Sequence, residues 1–170
     1  MHVARLEGLP LFEDLTSEEK AELGALLEPA SFGAGTKILE EGAPTGYLYV
    51  ITSGAVEVSK EVFPGHRQCL AILEKPAIVG EITLINGPRA TASVMAQGPV
   101  EAWRLSHETF LEKLEAGSLA AYKVAYQIGR ILAERMAKTD ESIAEIVAQL
   151  EKSDRDFEAF RDKLIQEWSF

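Results

Sequence analysis

Within the stretch VGEITLINGPRATASV, Val79 to Val94, a carboxylate and a guanidinium stand eight positions apart, at Glu81 and Arg89, with no charged side chain between them. An arginine offers a planar fork of donors that meets a phosphate or carboxylate with two prongs. A glutamate repels such an anion but accepts hydrogen bonds from hydroxyls. Gly80 lets the backbone come close to a ligand, and Ile82, Thr83 and Leu84 present the unpaired amides of a first helical turn. An anion beside a sugar hydroxyl, the make-up of a nucleotide, satisfies these groups together. An internal salt bridge between Glu81 and Arg89 that caps a loop satisfies the two charges without any ligand.

The elements that position this pair are legible from periodicity. Thr16 or Ser17 reads as an N-cap with Glu18 and Glu19 in the first turn, and Leu15, Ala21, Leu23, Leu26 and Leu27 give the short helix an apolar side. From Ser31 to about Leu105, segments such as YLYVI, AVEVS, CLAIL and ASVMA are β-branched or apolar and alternate with GAG, EGAPTG, SG, PG and NGP turns. Strands and turns spaced this evenly predict an antiparallel barrel or sandwich. After Ser106 the period changes to that of a helix: HETFLEKLEAG is expected to stop at Gly117, and a long helix follows from about Leu119. Along it Leu132, Met136, Thr139, Ile143, Ile146 and Leu150 alternate steps of four and three, a coiled-coil seam that predicts a homodimer. KSDRD, Lys152 to Asp156, interrupts the seam, and Phe157, Phe160, Leu164, Ile165, Trp168 and Phe170 resume an apolar face in what reads as a final helix.

Composition narrows the class. The 170 residues suit one domain with an appendage, and 46% hydrophobic with 26% charged residues is a globular balance. No apolar run approaches the roughly 18 residues that cross a bilayer, and MHVARLEGLPLFEDL lacks a signal-peptide pattern, so the expected location is the cytoplasm, without membrane association. The single cysteine, Cys69, agrees and reads as a small core residue. A net charge of -10 argues against a nucleic-acid surface. Enzymatic readings find no support: His2, His66 and His107 have no metal-ligand spacing, which weakens a metal-dependent jelly-roll enzyme, and Ser53, Ser93 and Ser106 lack a nucleophile motif.

Four pieces, LPLFEDLTSEEKAELGALLE, FGAGTKILEEGAPTGYLYVITSGAVEVS, VGEITLINGPRATASV and the long helix, follow one another in an order that resembles the cyclic nucleotide-binding domain. That domain is shared by the bacterial catabolite activator family, protein kinase A regulatory subunits and cyclic nucleotide-gated channels. Each piece is weak alone, and the four in order are specific; the resemblance covers about Leu11 to Leu150. It implies an α+β fold, an eight-stranded antiparallel jelly-roll β-barrel with an N-terminal helix, a short cassette helix and a long C-terminal dimerisation helix. Residues 1–150 would form the domain and 151–170 a short amphipathic helix.

The same resemblance assigns roles. GEITLINGPRAT corresponds to a phosphate-binding cassette in which Glu81 binds the ribose 2'-hydroxyl and Arg89 the cyclic phosphate. Backbone around Gly80, Ile82, Thr83 and Ala90 completes the anion nest, Thr91 adds a hydroxyl, and Leu70 and Leu73 line the pocket. Arg135 and Met136 of the long helix would cover the base. Ala90 stands where cGMP-selective kinase sites place Thr, which favours cAMP, with cGMP the other candidate. The loop from Glu81 to Arg89 is about one residue shorter than in most relatives. No helix-turn-helix follows the seam, so direct DNA binding is not expected and output passes through the dimer or an unidentified protein effector. The competing readings are a fold that has lost its ligand and serves as a dimeric interaction module, and a sensor of another ligand such as haem.

Overall fold

The structure is a computed structural model that describes residues 6, 8–87 and 89–168. A 3-10 turn at Pro10–Phe12 leads to α1 (Ser17–Gly24) and then to β1 (Glu28–Phe32), β2 (Lys37–Leu39), β3 (Tyr47–Ser53), β4 (Ala55–Phe63), β5 (His66–Glu74) and β6 (Ala77–Val79). α2 (Glu81–Asn86), β7 (Ser93–Ala96), β8 (Val100–Ser106), α3 (His107–Glu115) and α4 (Leu119–Trp168) complete the order. The strands form two antiparallel sheets, β1-β8-β3-β6 and β2-β7-β4-β5, so the jelly roll is a pair of four-stranded sheets.

The core lies between the sheets, where Ile38 and Leu39 of β2, Tyr49 and Ile51 of β3, Val56 of β4 and Val94 and Ala96 of β7 cluster with Val100 and Ala102 of β8. In β3 the alternate residues Leu48 and Val50 are also fully buried, because the other face of that sheet is covered as well: α2 packs on β3 and α3 on β8. A strand buried on both faces loses its polar alternation, which is why YLYVI reads as a continuous apolar run.

Local signals at the helix ends act as expected. Thr16 Oγ1 accepts from the Glu19 amide while the Thr16 amide donates to the Glu19 carboxylate, a reciprocal cap. Gly117 takes φ of 78° just after α3, and Ser118 Oγ accepts from the Ala121 amide to start α4. α1 and the turn before it are tied to the first turns of α4 by Glu19 to Lys123 at 2.8 Å and by Asp14 to Gln127.

Two expectations need correction. KSDRD does not end the long helix, which runs unbroken from Leu119 to Trp168; the five residues Lys152 to Asp156 include no Gly or Pro, and their modest propensities do not stop propagation. The apolar segment after residue 151 therefore continues α4 rather than forming a separate helix. One compact unit runs to Gly129 and a second begins at Arg130. In the second, Met136 and Thr139 of the seam are exposed and Leu132 is half-buried. The side chains of Ile143, Ile146, Leu150, Phe157, Phe160, Leu164, Ile165 and Trp168, and all of His2, Pro88 and Phe170, lie outside the described residues.

Cys69 is the second correction: it is exposed, not in the core. The β4–β5 register shifts between Val58, opposite Ala71, and Ser59, opposite Cys69, so Leu70 is the extra residue of a bulge. Simple alternation from Leu73 and Ala71 would turn Cys69 inward; the bulge resets the alternation and turns it out.

Candidate functional site: the cassette cleft

Gly80 adopts φ of 80° at the start of α2, and a Cβ there would lie 2.6 Å from the Tyr47 carbonyl oxygen. Backbone conformation and close approach both require glycine, and together they seat α2 against β3. Glu81, the first residue of α2, is buried at 6% exposure, and Thr83 at 1%. The Thr83 amide is not free for a ligand: it donates to the Gly80 carbonyl at 3.1 Å, closing the first turn. Ile82 is half-buried.

Past α2 the chain turns at Gly87, and Arg89 pairs with Pro44 in an isolated antiparallel bridge. The Gly42 amide donates to the Ala90 carbonyl at 2.8 Å and the Ala90 amide to the Ala43 carbonyl at 3.1 Å. The loop after β2 thus clamps the end of the cassette, with Ala90 buried in the core cluster. Arg89 is exposed, and its Nη1 donates to the Gly42 carbonyl at 2.8 Å. The partner seen for the Arg89 side chain is thus a neutral carbonyl of the loop after β2.

Arg89, Ala90 and Thr91 line a cleft of about 560 Å³ together with Glu41, Gly42, Lys60, Asn86 and Gly87. Gly80, Glu81, Ile82 and Thr83 sit at the opposite end of α2 and do not line it. Leu73 packs against the barrel core while Leu70, at the bulge, is 57% exposed; three positions apart, they would face opposite ways in a regular strand, and the reset alternation allows them one face. Arg135 and Met136 are exposed on α4 in the second unit, where the Arg135 carbonyl accepts from Thr139 Oγ1.

The sequence reading missed Lys60 and Glu41. The Lys60 Nζ donates to the Thr91 carbonyl at 3.3 Å and lies 3.6 Å from the Glu41 carboxylate. That carboxylate also accepts from the Glu61 amide at 2.8 Å, and the Glu41 amide donates to Ser93 Oγ at 3.0 Å. A signal was available: Val56, Val58 and Lys60 share one parity on β4, so a cation follows two apolar residues on the barrel-facing side.

His66 stacks on Phe63 beside the β4–β5 turn, His107 opens α3, and the described residues hold no group of three His, Cys, Asp or Glu placed for a metal ion. Among them no helix is long and apolar enough to cross a membrane.

The model of the cyclic nucleotide-binding domain matches residues 29–116, from β1 to the end of α3, and the chain belongs to that family. It is 32% identical over 110 residues to a cAMP-dependent protein kinase regulatory subunit of Aspergillus fumigatus, covering 65% of this chain and 26% of the relative. It is 26% identical over 138 residues to a CRP-like cAMP-activated global transcriptional regulator of Mycobacterium tuberculosis, covering 81% of this chain and 59% of the relative. The chain therefore spans about a quarter and three fifths of the lengths of these two relatives. A solved cyclic nucleotide-binding domain from Methylobacillus flagellatus superposes with a TM-score of 0.71 at 26% identity, covering 84% of this chain and 80% of that one. The segment from Gly80 to Thr91 falls within the matched residues.

Proposed function

We propose that this chain is a sensor of a cyclic purine nucleotide, cAMP in preference to cGMP, without catalytic activity of its own. The observation that carries the reading is the cassette: Glu81 heads α2 and Arg89 stands at its far end beside an open cleft, in the family's order. Arg89 gives up a neutral acceptor, the Gly42 carbonyl, to take a phosphate, and a charge-assisted two-pronged contact is the stronger of the two. Glu81 is assigned hydroxyl recognition by the family's order alone, since it is buried at the head of α2 and does not line the cleft. Ala90 offers no hydroxyl to a guanine amino group, which supports the choice of cAMP. The two curated relatives are named for dependence on, or activation by, cAMP.

Signal leaves the domain through α4. Two copies pair along the seam through Met136 and the positions that follow it, Arg135 and Met136 cover the base, and nucleotide shifts the balance between two arrangements of the helices or presents the last turns to a protein effector. The chain's acidity supports an output that does not run through duplex DNA.

A second reading, a fold without ligand that works as a dimeric interaction module, draws on the guanidinium's existing bond to Gly42. Thermal unfolding with cAMP, cGMP and AMP side by side separates the two. Ligand at a hundredfold excess over its dissociation constant adds about 2.7 kcal/mol of stability. An unmoved melting point in saturating cAMP and cGMP gives the answer to the second reading.

A further inference from the structure

One turn of the chain holds both cations of the cleft. Residue 42 takes Arg89 through its carbonyl, and residue 41 takes Lys60 through its carboxylate. Lys60 lines the cleft, with its ammonium 3.3 Å from the Thr91 carbonyl of the cassette and 3.6 Å from the Glu41 carboxylate. Its place on β4 is unusual for a lysine: the strand's preceding residues of the same parity, Val56 and Val58, are apolar, with Val56 in the core and Val58 packed against it. A cation at that parity, two residues beyond the core and lining the same cleft as Arg89, faces whatever the cleft receives.

The partners of Lys60 are weak holders. Its side chain is 51% exposed, the contact with Glu41 is long, and Glu41 is committed as well to the Glu61 amide. A half-exposed ion pair of this length contributes little by itself. A phosphate ester in the cleft offers closer, less constrained oxygens to the same ammonium.

We infer that Lys60 is a second phosphate-binding cation of this site and that Glu41 is its built-in competitor, a carboxylate that occupies Lys60 until an anionic ligand displaces it. The inference rests on the nucleotide-sensor reading and deepens it: affinity depends on two cations, and Glu41 sets how much of the second is available. Lys60 and Glu41 then act in opposite directions on the ligand although they contact each other. If the pair were only a structural tie, removing either partner would disturb the site in the same sense.

The test is a titration of cAMP, with inorganic phosphate as a second probe, against the full chain and the variants Lys60→Met, Lys60→Arg and Glu41→Gln, each at low and high salt. Lys60→Met weakens cAMP about tenfold and flattens the salt dependence, Lys60→Arg restores most of the affinity, and Glu41→Gln tightens binding by roughly threefold. Melting temperatures without ligand establish that each variant folds. Wild-type affinity in Lys60→Met, or weakening in Glu41→Gln with the fold intact, overturns the inference and leaves the sensor reading standing. A wild-type chain that answers neither cAMP nor cGMP nor phosphate overturns both.

Discussion

The guanidinium of Arg89 donates to the carbonyl oxygen of Gly42 at 2.8 Å across 47 positions of sequence, so the arginine proposed to take the anion is held beside the cleft by the loop that follows β2. The contact fixes the side chain without neutralising it. A carbonyl can orient a guanidinium, but it leaves the full positive charge for a ligand.

That relationship sets the rank of the cassette variants. Arg89→Ala should reduce cAMP affinity by about 2–3 kcal/mol, the value of a charge-assisted contact, and Arg89→Lys by less, because the charge remains while the fork is lost. Glu81→Ala should cost less than Arg89→Ala, since it removes hydroxyl recognition rather than charge neutralisation. Calorimetric titration of the three variants checks the order, and equal affinity across wild type and both arginine variants would place the phosphate elsewhere.

Gly80→Ala should destabilise the free protein by more than about 1 kcal/mol, because alanine at φ of 80° is strained and its Cβ meets the Tyr47 carbonyl at 2.6 Å. Gly87→Ala is the comparison: φ there is 92°, yet no atom lies within 4 Å of the added Cβ, so only the conformational strain applies. Urea unfolding of both variants measures the difference, and a Gly80 variant no less stable than the Gly87 variant would remove the close approach from the account.

Acid should loosen the tie between α1 and α4. The Glu19 carboxyl is held below the usual carboxylate value, first by the hydrogen bond from Lys123 and next by the one from the Thr16 amide. A carboxyl lowered in the folded state contributes stability that is fully present above its unfolded value of 4.5 and is lost as pH falls through the folded value. Glu19→Gln should therefore lower the melting temperature at pH 7, and the gap to wild type should narrow as the pH falls below 4.5 and on through the lowered folded value. A gap of constant size across that range would show that the charge of Glu19 is not what matters.

Self-association should depend on the seam of α4. Met136, exposed on the isolated chain, lies on that seam, and Met136→Glu should weaken the homodimer by at least about tenfold, read as the concentration dependence of mass in sedimentation. The coupling to ligand has its own probe: in a Trp103→Phe background the fluorescence of Trp168 should respond to cAMP, and Arg135→Ala should diminish that response at saturating ligand. An undiminished response would take Arg135 out of the mechanism.

Much of this protein is written in short-range sequence. Thr16 and Glu19 lie three positions apart and form their reciprocal cap as read; Gly117 ends α3 because it reaches φ of 78°; GEITLINGPRAT announces α2 and the loop to Arg89. Such features depend on neighbours along the chain, so residue type and spacing suffice to find them. What the tertiary structure decided depends on partners far away in sequence. The bulge at Leu70 exists only against β4, and by resetting the alternation it sends Cys69 outward where an unshifted strand would bury it. Above all, the cleft joins β4, the end of the cassette and the loop after β2, and Lys60 and Glu41 acquire meaning only when those three segments meet. A charge in a strand reads as a solvated residue until the register says which face it occupies, and register is set by the packing of whole sheets rather than by any local word in the chain.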